Sequence, residues 1–95
     1  MLEVLDLKKI ASDILTKRMP LAQLERVITQ NTSTSDGDAA LRFTLVLTPE
    51  SVGKITGEGA LKFLTDLHDS LERAGEERFP IVEYATSDDV EAQEE

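Results

Sequence analysis

Apolar residues recur three and four apart at the start of the chain, at Val4, Leu7, Ile10, Ala11, Ile14 and Leu15. That spacing gathers them on one stripe and predicts a helix over about residues 3–18. Leu2 and Leu5 widen the stripe. Pro20 sets the end, because it lacks an N–H and pushes Met19 out of helical geometry.

Residues 21–33 carry two patterns at once. Leu21, Leu24 and Ile28 fit a second helix opened by Pro20, whereas Val27-Ile28-Thr29 and the threonines that follow fit a strand. The next stretch favours the strand. Ser35-Asp36-Gly37-Asp38 supplies a residue that takes positive φ at a tight turn, and Ala40–Leu47 then alternates, with Leu41, Phe43, Leu45 and Leu47 on one face. A hairpin is predicted, roughly 24–33 with 39–48.

Thr48-Pro49-Glu50-Ser51 places an N-cap, a proline and an acid at the start of one short turn, which Gly53 weakens. A second start follows at Thr56-Gly57-Glu58. From there Ala60, Leu61, Phe63, Leu64, Leu67, Leu71 and Ala74 form the apolar face of a helix over about 58–74, with Gly75 as its left-handed cap. Phe79–Ala85 reads as a last strand, and Pro80 restricts it to a sheet edge or to the strand's opening residues. Residues 87–95 hold only Val90 and Ala92 among polar and acidic neighbours, so a disordered acidic tail is expected beyond a single domain of residues 1–86.

The order α-β-β-α-β predicts a small single-domain α+β fold. A three-stranded sheet with two helices packed on one face hides both apolar stripes. At 95 residues there is room for one domain and one modest core.

Charge narrows the partners. The formal net charge is -9, and residues 83–95 carry six acids and no base. A field of this sign repels phosphate backbones, so no nucleic-acid partner is expected, and Lys8-Lys9 and Lys17-Arg18 read as solvated helix flank. The opening residues lack the apolar core of a signal peptide, and the longest apolar run is Leu45-Val46-Leu47, so a cytoplasmic protein without membrane contact is expected. The chain has no cysteine, which excludes disulfides, thiolate metal sites and a cysteine nucleophile.

The candidate chemical motifs are weak. Gly53-Lys54-Ile55-Thr56 lacks the upstream glycine and the hydroxyl residue after lysine that a phosphate loop needs. Gly57-Glu58-Gly59 opens a helix, but Glu58 itself occupies the place an anion would take. Asp36 and Asp38 suit calcium only with further oxygen ligands, and the twelfth position from Asp36 is Leu47. His68 is the one histidine; no His-x-x-x-His or His-x-x-Glu spacing surrounds it, so no metal and no cofactor are expected. Asp66, Asp69 and Glu72 read as surface acids, with Lys62–Asp66 and Asp69–Arg73 as helix pairs.

The resulting expectation is a small non-catalytic interaction or regulatory module, binding a protein partner or forming a homo-oligomer. The alternative is a small ligand-binding protein or enzyme using His68 and the Thr-rich strand residues. If Leu41, Phe43, Leu45 and Leu47 face the helices, then Arg42, Thr44 and Val46 face away. With Phe79 and Ile81 taken as inward, Val82 and Tyr84 join them, and Val27 is a further candidate for that outer face. These residues are the expected interface.

Overall fold

The computed structural model describes residues 2–93, with side chains through Val90. Its elements are α1 (Val4–Arg18), β1 (Leu24–Ser33), β2 (Ala39–Leu47), α2 (Pro49–Val52), α3 (Gly57–Arg73), β3 (Phe79–Ala85) and α4 (Ser87–Gln93). The strands form one sheet in the order β1-β2-β3. β1 and β2 are the antiparallel hairpin, and β3 returns parallel to β2 after α2 and α3. The fold is therefore α+β with a mixed sheet.

The core lies between one face of the sheet and helices α1 and α3. Leu7, Ala11, Ile14 and Leu15 of α1 meet Phe63, Leu67 and Leu71 of α3 and Leu41, Phe43, Leu45 and Leu47 of β2 in one buried cluster. β2 supplies most of the sheet's share because it is the central strand. The hairpin turn and the C-terminal end of α3 use the backbone that glycine permits: Gly37 has φ 88° in the turn and Gly75 has φ 81° after α3. The Gly75 N–H donates to the Glu72 carbonyl and the Glu76 N–H to the Leu71 carbonyl, a Schellman closure.

Three features depart from the sequence reading. The Thr48 hydroxyl bonds Ser51 Oγ at 2.7 Å in place of a backbone N–H, and the buried Ser51 Oγ accepts from the Gln23 N–H. Asp66 is bound by Arg18 of α1, through Nε and Nη2, while Lys62 pairs with Glu58 at 2.8 Å. The third is the chain's end. Residues 87–93, expected within a mobile tail, form α4; residues 94 and 95 lie outside the described residues. Thr86 and Asp89 cap α4 reciprocally: the Thr86 N–H donates to Asp89 Oδ2 at 3.2 Å and the Asp89 N–H to Thr86 Oγ1 at 3.4 Å. α4 packs against β2, and its Val90 is only 5% exposed.

Candidate functional site

The five residues expected to form one outer surface lie on two faces. Register pairs Val82 with Phe43 and Tyr84 with Leu45, and both side chains pack against the main core. Burial pushes the Tyr84 hydroxyl's pKa up. Arg42, Thr44 and Val46 do point the other way, but Thr44 and Val46 are buried. Val46 lies outside the main core cluster, as does Val90, and the packing of α4 on β2 accounts for its cover. Val27 belongs to the core as well.

The cause is register. β1 shifts register between Leu24 and Arg26, so Leu24 faces Leu47 and Val27 faces Leu45, both on the helix side. Parallel pairing likewise sets Ile81 beside Arg42 and Glu83 beside Thr44. The outer face therefore carries Ile28 and Ile81, half-buried, where Val27, Val82 and Tyr84 were expected. On it Arg42 Nε lies 3.5 Å from Glu83 Oε1 and is buried with no hydrogen-bond acceptor.

The most concentrated polar constellation was missed by sequence reasoning. It lies at the end of the core under the start of α1. The Schellman turn after α3 aims Glu76 inward, where its side chain is 2% exposed, and Arg78 follows at 12%. Arg78 donates from Nε to Glu76 Oε2 at 2.8 Å and from Nη2 to Oε1 at 2.6 Å. The Leu2 N–H also donates to Oε1 and the Arg78 N–H to Oε2, while Arg78 Nη1 reaches Asn31 Oδ1 on β1. Hydrogen bonds from the Arg78 side chain dominate, and they hold the Glu76 carboxyl down at about 2 against an ordinary 4.5. The only sequence signal was an acid two residues before an arginine, which is common on surfaces.

Among the open grooves beside this pair are two of similar volume. One, about 420 Å³, is bordered by His68, Glu72, Glu77 and Phe79. The other, about 430 Å³, lies between the start of α1 and β1 and is bordered by Leu2, Leu7, Thr29 and Asn31. Arg78 borders both. Its charge is already matched by Glu76, and together the two residues stitch β1, the α3–β3 turn and the N-terminal backbone.

His68 is exposed on α3, its ring centroid 6.1 Å from that of Phe79. It borders the first groove and Thr29 the second, while Thr44 is buried on the opposite face of the sheet. The histidine and the strand threonines thus form no common site. His68, Asp69 and Glu72 bring one donor atom each within 4.8 Å of one another, and all three are exposed. A helical turn unites His68 with Glu72, four residues on. Exposed trios of this kind are common without an ion, and among the described residues no further protein ligand joins this one.

Comparisons with protein-family models, with curated proteins and with solved structures find no match to this chain.

Proposed function

We propose that the chain is a small non-catalytic interaction module that associates with a second copy of itself through the β1 edge of its sheet. The observation that carries this reading is the ten-residue β1, paired on one side only. Unpaired N–H and C=O groups along such an edge are a template for another strand. The other edge is less suited. β3 has seven residues, and Pro80 deprives it of a donor.

The side chains along β1 are compatible with pairing. Beyond the irregularity at Leu24 and Arg26 its register with β2 is continuous to Ser33, and Gln30, Asn31 and Ser33 are exposed, uncharged and polar. Two copies meeting antiparallel about a two-fold axis form a closed, isologous contact and one six-stranded sheet.

Sedimentation velocity over a concentration series tests the reading. A dimer that dissociates on dilution is expected. Gln30→Glu and Gln30→Lys each place like charges near the two-fold axis and weaken it, and mixing the two variants restores association. A chain that stays monomeric at its highest soluble concentration refutes the reading.

A further inference from the structure

The β3 side of α3 is an unpartnered surface with a chemical character of its own. Leu61, Leu64 and His68 recur at i, i+3 and i+7, so they share one stripe of the helix beside the buried Phe63, Leu67 and Leu71. Leu61 is 66% exposed and Leu64 37%, and Phe79, at the start of β3, is 52% exposed. The His68–Phe79 contact joins the stripe to the first groove.

At that groove acids outnumber bases, Glu72, Glu76 and Glu77 against Arg78. Glu72 and Glu77 are exposed, and among the described residues neither is in an ion pair. The arginine beside them, Arg78, is committed to Glu76. The surface is thus a leucine stripe leading into an acidic pocket with a phenylalanine ring on its wall.

We infer that this surface docks a basic amphipathic helix of a partner protein. A lysine or arginine of the partner lays its stem against Phe79 and delivers its charge to Glu72 and Glu77, and apolar side chains cover Leu64 and Leu61. Aromatic faces attract such cations, and the carboxylates add the matching charge. Spacing defines the partner further. Leu64 and Leu61 precede Glu72 by about two and three helical turns, so the partner's apolar residues lie roughly eight and eleven positions from its basic residue. A second copy of this chain fits poorly, because it would bring acids to acids. The inference rests on the reading of the chain as an interaction module, but it uses the sheet edge opposite to β1.

The probe is a synthetic helical peptide with two arginines at one end and leucines at those spacings, titrated into the full-length chain with chelator present. Binding is read by fluorescence anisotropy and by amide shifts. Shifts confined to about residues 61–79 are expected. Glu72→Gln with Glu77→Gln lowers affinity about tenfold, as two exposed ion pairs imply, and Leu61→Ser does so by a similar factor. Asp36→Asn with Asp38→Asn removes equal charge from the hairpin turn and leaves affinity within about twofold. All three variants alter exposed residues, and circular dichroism verifies their folding.

Absence of binding overturns the inference. So do equal affinity for a peptide with glutamates in place of the arginines, equal affinity of the Glu72/Glu77 variant, and shifts centred on β1. Sedimentation of the same samples separates the two readings. If the peptide fails while the chain still dimerises, only this inference falls; if the chain is monomeric yet binds the peptide, only the β1 contact falls.

Discussion

At the residue scale, Glu76 and Arg78 carry the largest consequences. Two charges removed from water are tolerable only while each satisfies the other, so losing one partner strands a buried ion. Glu76→Gln or Arg78→Met is expected to cost about 3 kcal/mol, whereas Glu76→Leu combined with Arg78→Met costs less than either single change. Urea unfolding of the set measures this. The Glu76 carboxyl has its pKa lowered to about 2 on folding. Its contribution is therefore present above an unfolded pKa of roughly 4.5 and is lost as pH falls toward 2. The melting temperature of the wild type should fall through that window, and that of Glu76→Gln should start lower and change less.

Gly59 and Thr56 are a second residue-scale case. The Gly59 N–H donates to Thr56 Oγ1 at 2.9 Å, capping α3. A Cβ on Gly59 would meet that oxygen at 2.9 Å and Met19 Cγ at 3.0 Å. Thr56→Ala should cost about 1 kcal/mol through the lost cap. Gly59→Ala should also destabilise, because the gain in helix propensity is offset by displacing the cap and the buried Met19. Thermal melts of both variants check the sign.

At the scale of elements, α4 is the least expected feature. Its seven residues are too few to be helical alone, so it depends on its Thr86–Asp89 cap and on packing against β2. Burial of one valine is worth about 1.5–3 kcal/mol. Truncation after Thr86, or Val90→Asp, should therefore lower the melting temperature by several degrees, at about 4–8 °C per kcal/mol. An unchanged transition after truncation would return residues 87–93 to the status of a dispensable tail. The same packing removes Val46 from the solvent-facing surface.

At the scale of the whole molecule, net charge sets opposite signs for the two proposed contacts. Each copy carries a formal charge of -9, so two copies repel, and added salt screens that repulsion. Raising salt from low to physiological levels should increase the dimer fraction seen by sedimentation. The same change should weaken the arginine-bearing peptide, whose attraction is screened. A shared sign in both measurements would count against at least one of the two surfaces.

The order α-β-β-α-β was legible along the chain because each of its signals is local. Three- and four-residue spacing marks α1 and α3, Asp36-Gly37 marks the hairpin, and Gly75 ends α3, all within a few residues of the feature they specify. Which side of the sheet a residue faces was not local. Pairing with β2 sets Val27 opposite Leu45 on the core side, the irregularity between Leu24 and Arg26 returns Leu24 to that side, and the parallel register of β3 carries Val82 and Tyr84 there. A one-residue slip exchanges the faces of a strand, and only pairing with a distant strand fixes it. Nothing local marks Glu76 and Arg78 for burial; the turn after α3 aims them beneath α1 toward Asn31. Residues 87–93 read as a tail for the same reason: their helix needs β2, some forty positions earlier, to bury Val90. Sequence alone determined the elements from α1 to β3 and their turns, since those depend on backbone preference over short distances. Tertiary structure decided facing, burial and charge pairing, because these depend on contacts between residues far apart in the chain.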